Sequence, residues 1–308
     1  MNASLELEKV NLGEKTISIP IARIRGKLSG HTLLVTAGMD GDEYAAVDAA
    51  YKVWEKYKGG NFSGTLLVVP IVNIPGFETG TSYNPLDGKF PKHIFPGKPT
   101  GSPSERLIYW LYQKILSGVS VWLDLHGASV YERLSPVLLM YETENREVNE
   151  RNIKILHALP KGIITYERPG VWGGKPVKVG SLGISYIMAE SGDLGARDNK
   201  WVNLHLRWVE SVMKSLGMKK GRINNSKKNV YREIHEEFAS QNGLWYPTIE
   251  GRGKFKKNTI LGEIRSLTGD CVHRYIAKRD GQFLWGLEKT YCRKGEEFLS
   301  YGSELAEI

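Results

Sequence analysis

Two acids and a histidine are spaced as a hydrolytic metal site would need them, and a third acid stands ready beside them. Asp40 and Glu43 lie in "LLVTAGMDGDEYAAVDAAYKVW", where an apolar run ends in a Gly-bearing turn and a helix-like pattern begins. Side chains three positions apart at a helix start converge on one point, and a helix N-terminus favours negative charge. His126 closes "VSVWLDLHG" behind Asp124, a carboxylate placed to orient the ring as carboxylates do for metal-bound histidines. Two carboxylates, one imidazole and an open position form the donor pattern of a catalytic zinc. Glu190, at the end of "GISYIMAESG", comes from another segment and suits a general base toward a metal-bound water. The plainer alternatives are two solvated acids at a helix start, a core histidine, and a capping or salt-bridged glutamate.

The elements that must position these residues can be read from periodicity. "HTLLVTAG", "GTLLVVPIVN", "VSVWLDLHG", "SPVLLMYE" and "GISYIMAESG" read as buried strands. "DEYAAVDAAYKVWEKYK", "SERLIYWLYQKIL", "NREVNERNIKILHAL" and "DNKWVNLHLRWVESVMKSLG" read as helices, the second capped by Ser102 or Ser104. Strand and helix alternate from about residue 30 to 217, which predicts an α/β domain with a parallel or mixed sheet. In such sheets ligands bind beyond the carboxyl ends of the strands, where Asp40, Glu43, His126 and Glu190 all fall. A Gly- and Pro-rich segment, 74–103, is too long for an incidental loop and is expected to carry function. A second glycine-rich stretch, "GVWGGKPVKVG" at 170–180, reads as a flexible loop near Glu190, with Lys178 in reach of an anionic substrate or simply solvated. His157, His205 and His235 sit on helical or linker patterns, where a surface role is usual.

Beyond the basic stretch "MKKGRINNSKKNVYR", read as a linker, short strands divided by glycine recur about every ten residues, as in a small all-β module. The expected division is 1–222 and 223–308. The chain has 308 residues and a formal net charge of +8, but its basic residues are spread and lack aromatic interleaving, which argues against nucleic acid. No apolar stretch is long enough to span a bilayer, and the charged start "MNASLELEKVNLGEK" has no apolar block, so cytoplasmic residence is expected. Two cysteines, Cys271 and Cys292, are too few for a disulfide framework and read as buried thiols.

"AGMDGDEY" resembles the first metal motif of the zinc acylase family containing succinylglutamate desuccinylase and aspartoacylase, whose pattern is Gly-x-His-Gly-x-Glu. "PIVNIPGF" at 70–77, "IFPG" at 94–97, "DLHG" at 124–127 and "AESG" at 189–192 match the family's later landmarks in order and spacing. The segment from "QNGLWYPTIEGRGKFKKNTILGEI" to "CRKGEEFLSYG" resembles its barrel-sandwich module, similar to a biotinyl or lipoyl domain. The resemblance implies a mixed-sheet, zinc-carboxypeptidase-like catalytic domain followed by a β module that acts as a lid or rim. It implies one zinc ion on Glu43 and His126, with Asp40 where the family has a histidine, and Glu190 as the catalytic glutamate.

Three departures bear on the chemistry. Asp40 for histidine leaves the ligand set and a divalent ion at about zero net charge instead of about plus one, so weaker zinc binding and a less acidified water are expected, and another divalent metal is admitted. Phe90, Pro91, Lys92 and His93 stand where the family has Asp-Leu-Asn-Arg, and Ser82 stands where an arginine is expected. Neither lysine nor histidine copies the arginine fork that grips a carboxylate. Lys92, Ser82 and Lys178 remain the candidate substrate contacts, and His93 the candidate oxyanion stabiliser. The implied function is metal-dependent hydrolysis of an amide or ester in a small acylated molecule with an altered substrate site. The alternatives are a non-catalytic relative that binds a ligand or partner, and a peptide-cleaving carboxypeptidase. A homo-oligomer is compatible with the sequence.

Overall fold

The computed structural model of the chain describes residues 2–168, 174–223, 226–249 and 253–308. Strands β1 (Ala3–Asn11), β2 (Thr16–Arg25) and β3 (Leu28–Thr36) lead through the Asp40 turn into α1 (Tyr44–Tyr57) and β4 (Ser63–Val69). Helices α2 (Ile74–Thr79) and α3 (Pro103–Trp110) flank the long loop, and β5 (Val121–His126) follows. Next come β6 (Glu132–Leu134), β7 (Val137–Tyr141), α4 (Arg146–Ala158), β8 (Ile163–Glu167), α5 (Lys175–Ser181), β9 (Ser185–Glu190) and α6 (Asn199–Ser215). The remainder is β: β10 (Asn229–Phe238), β11 (Gly243–Pro247), β12 (Lys254–Phe255), β13 (Ile260–Arg265), β14 (Cys271–Ile276), β15 (Gly281–Leu287), β16 (Tyr291–Cys292) and β17 (Glu297–Glu307).

The large sheet runs β1-β2-β4-β3-β5-β9-β7-β8-β10-β17-β15-β12, with β6 on β15. Its centre, β4-β3-β5-β9, is parallel, and β7 joins antiparallel to β9. All six residues of β5 are buried, because the strand has neighbours on both edges and helices on both faces. On one face α1, α4 and α6 bury Ala45, Ala46, Ala49, Val53, Ile155, Val209 and Val212. On the other, α3 and the curled β1–β2 pair enclose Ile19, Ile21, Leu107, Leu111 and Trp122. The carboxyl ends of β3, β5 and β9 therefore open together between the layers.

The long segment 74–103 is not without structure. It contains α2 and a single 3-10 turn, Pro91–His93. Asp87 pins it: its carboxylate accepts from the Ser102 hydroxyl at 2.7 Å and from the Ser104 amide and hydroxyl, each at 2.8 Å. Part of the expected loop 170–180 is helix α5, and its residues 170–173 lie outside the described ones. The basic linker ends earlier than its composition suggests, since β10 begins at Asn229 and joins β8 in parallel through Tyr231 and Thr165. Strands β14-β13-β11-β16 form a separate antiparallel sheet, the second layer of the C-terminal β module. We propose the division between 222 and 223 as the module boundary, although hydrogen bonding crosses it. Cys292 is buried as expected, but Cys271 is exposed on β14. Among the described residues no helix is long and apolar enough to cross a membrane.

Candidate metal centre and its cleft

Asp40 sits in the turn after β3 and Glu43 at the N-cap of α1, ahead of the helix proper. Gly41 makes the turn possible, since a Cβ there would lie 2.1 Å from the Gly76 carbonyl carbon of α2. Glu43 makes no side-chain cap hydrogen bond, so it is not there to satisfy the helix end. Its Oε2 instead lies 3.0 Å from His126 Nδ1, which is also 3.9 Å from Asp40 Oδ2. One ligand atom from each of Asp40, Glu43 and His126 falls within 4.8 Å of the others.

All three residues are buried, with exposures of 1%, 3% and 0%. Asp40 Oδ1, Glu43 Oε2 and His126 Nδ1 have no hydrogen-bond partner. Buried polar atoms are rarely left so, and three residues with ligand atoms this close form a donor set that fits a divalent ion. Burial disfavours a charged imidazole, yet the Glu43 and Asp124 carboxylates raise His126 well above its usual range. Burial likewise holds Glu43 well above the usual carboxylate range, with Asp40 adding to it and His126 opposing it.

Asp124 lies behind His126, 3.4 Å from Nε2. Its other partners were not legible in the sequence. Lys175 Nζ is 2.6 Å away, the Tyr186 hydroxyl donates at 2.8 Å, and the Thr36 hydroxyl donates at 2.5 Å. The Lys175 ammonium also lies over the Trp122 and Tyr186 rings at 4.4 and 4.6 Å. Burial would raise Asp124, but Lys175 and His126 hold it far below the usual range, so it stays ionised.

Lys92 places its ammonium 2.5 Å from Asp40 Oδ2, the oxygen that also lies 3.9 Å from His126 Nδ1, while the buried Oδ1 has no hydrogen-bond partner. The aspartate that replaces a histidine thus comes with its own cation. Counting Lys92, the set with a divalent ion returns to about plus one, the charge expected of two histidines and a glutamate. His93, next along the turn, is lowered to about 4 by burial and then by Lys92, so its ring is neutral. Glu190 pairs across β5–β9 with His126 and lines the same cleft; burial pushes it up to about 7, against the pull of His126 and Lys92.

Lys92, His93, Glu43 and Glu190 all line one cleft, with an empty volume of about 840 Å³ including its mouth. Ser82 and Lys178 are not among its lining residues. The Ser82 hydroxyl donates to Asp42 at 2.7 Å, and exposed Lys178 reaches the Phe95 carbonyl at 3.2 Å. Within the 170–180 segment it is Lys175 that the fold turns inward. His205, expected at the surface, is fully buried on α6 beside Trp208, its Nε2 3.2 Å from the Ser191 carbonyl.

Fold and constellation together define a zinc-carboxypeptidase-like α/β protein carrying a C-terminal β barrel-sandwich module. Residues 29–215 match the succinylglutamate desuccinylase/aspartoacylase catalytic domain, and the chain belongs to that family. It is 22% identical over 276 residues to the N-alpha-acetyl-L-2,4-diaminobutyric acid deacetylase of Halomonas elongata, covering 86% of this chain and 80% of that protein. The structure of a succinylglutamate desuccinylase/aspartoacylase from Rhodobacter sphaeroides superposes with a TM-score of 0.85 at 22% identity, covering 99% of this chain and 95% of the other. The product-bound ectoine utilization protein of Ruegeria pomeroyi gives 0.85 at 19% identity, covering 98% and 95%. At these identities the structural likeness is one of fold.

Proposed function

We propose that the protein is a metal-dependent deacylase that hydrolyses an amide, or an ester, of a small acylated molecule in the cytoplasm. Asp40, Glu43 and His126 through Nδ1 would hold one divalent ion, zinc in the first place. When bound, the ion supplies Lewis acidity toward the acyl oxygen and toward water. Glu190 takes the proton of the attacking water as its oxygen bonds to the acyl carbon. It returns that proton to the leaving nitrogen as the carbon–nitrogen bond breaks. The neutral His93 ring presents an N–H to the acyl oxygen, and Asp124 holds the His126 ring with Nδ1 inward. The observation that carries this reading is the trio of buried, unpartnered donor atoms on Asp40, Glu43 and His126, of which Glu43 lines one cleft with Glu190. Membership of a deacylase family supports it.

Glu190→Gln should lower turnover by about two to four decades while zinc content stays stoichiometric, the size of a general-base contribution. Elemental analysis and a panel of N-acyl compounds check both. Unchanged turnover in the variant would remove Glu190 from the reaction. A second reading, a metal-free binding relative, rests on the Lys92 ammonium at Asp40. Protein that takes up no zinc on dialysis would favour it.

A further inference from the structure

The cleft is acidic beyond what metal ligands account for. Its lining includes Glu43, Glu132, Glu190, Glu236 and Glu297, against a single lysine, Lys92, whose ammonium already stands on Asp40. The chain as a whole carries +8, so this acidity is local and not a reflection of composition. Glu236 and Glu297 come from β10 and β17, strands that pair with each other. Among the described residues neither forms an ion pair. Burial raises Glu236, and it pushes Glu297 up to about 7 with Glu236 and Glu132 adding to it.

Behind the cleft wall, outside its lining, lies one more acid. Glu167 closes β8 in register with Tyr141, so the two share a sheet face. Tyr141 lines a pocket that shares Lys92, His93 and Met188 with the cleft. Glu167 is fully buried, and neither of its carboxylate oxygens has a hydrogen-bond partner. Burial, with Glu236 adding to it, pushes Glu167 up to about 8, so it stays protonated behind the wall. Between these acids the walls are apolar, from Leu134, Val137, Leu139 and Leu284. Methylenes suit such walls and a protonated nitrogen suits the carboxylates. A carboxylate-bearing substrate meets no arginine among the described lining residues.

We propose that the amine half of the substrate is a cationic alkylamine: an N-acyl diamine or oligoamine whose second, protonated nitrogen is held by Glu236, Glu297 and Glu132. The inference rests on the deacylase reading and names its substrate class. Water adds its oxygen to the acyl carbon and the carbon–nitrogen bond breaks. The acyl group leaves as a carboxylate, and the freed nitrogen takes both protons of that water, passed on through Glu190 one after the other, and departs as a second ammonium.

The test compares three amides of equal length on zinc-loaded protein: N-acetyl-1,4-diaminobutane, the neutral N-pentylacetamide and the acidic N-acetyl-5-aminopentanoate. The cationic amide should show at least a tenfold higher kcat/KM than either. Glu236→Gln and Glu297→Gln should each shrink that ratio severalfold, mainly through KM. Free 1,4-diaminobutane, titrated into the wild-type protein by calorimetry, should bind, and should bind about tenfold more weakly to the double variant. Equal or better cleavage of the neutral or acidic amide overturns the inference and leaves the deacylase reading standing. Cleavage of none of the three by metal-loaded protein overturns both.

Discussion

Asp40 shows how a single side chain can change a site's electrostatics and how a neighbour can change them back. Read alone, an aspartate in the place of a histidine lowers the charge of the centre and weakens its hold on water's proton. With Lys92 2.5 Å from Oδ2, that deficit is offset. Lys92→Met removes a cation close to the ion. Unit charges a few ångströms apart interact by more than about 1 kcal/mol even at a high effective dielectric. Zinc should therefore bind the variant about tenfold or more tightly in a chelator competition. Equal or weaker binding would mean that Lys92 leaves Asp40 when metal is present. The candidate ligands stand out because strand ends and a Gly-bearing turn leave marks in local sequence. Lys92's partner does not, because the contact joins residues 52 positions apart. The inward turn of Lys175, three residues from Lys178 in the same short helix, has no local signature at all.

Helices and strands were more legible than the segments that tie them down. The apolar spacing of α1 and α6 announces both helices, yet nothing local says that they pack on each other. Glu210 on α6 records it: Lys56 of α1 stands 2.6 Å away, Lys219 stands 2.7 Å away, and the Tyr57 hydroxyl donates at 3.2 Å. Burial alone would raise Glu210, but the hydrogen bonds from Lys219 and Lys56 bring it down to about 2, from an unfolded value of 4.5. A depressed carboxylate stabilises the fold above its unfolded value, and that contribution is lost as pH falls through the folded one. Glu210→Gln should cost about 1 kcal/mol at pH 7, as half-exposed ion pairs do. The gap from wild type should close between pH 4.5 and 2. Urea titrations at several pH values measure it, and a gap that persists at pH 2 would assign Glu210 a packing role instead. The 74–103 segment was harder to read, since Asp87 holds it through Ser102 and Ser104, contacts that no periodicity signals.

At the scale of the whole molecule, the β module has a buried cluster of its own around Trp245, Phe283, Phe298 and Tyr301, yet the two textures of the sequence share one sheet. The composition shift near residue 222 is real, but β10 continues the sheet from β8, and β6 pairs with β15 across the division. Ile234, Leu284, Trp285 and Ser300 of the β module form a wall of the cleft that Glu43, one of the three candidate ligands, also lines. A family resemblance suggests such a module as a rim, whereas only the pairing shows that it also covers the β8 edge. An uncovered strand edge next to an apolar cleft is a site for association. Heat or denaturant should therefore unfold residues 1–222 and 223–308 in one transition, with calorimetric and van't Hoff enthalpies equal. The 1–222 segment expressed alone should self-associate on size exclusion. Two resolved transitions, or a monodisperse 1–222 fragment that keeps its zinc, would show that the sheet across the division contributes little, and that the cleft's far wall is free to move against the metal centre.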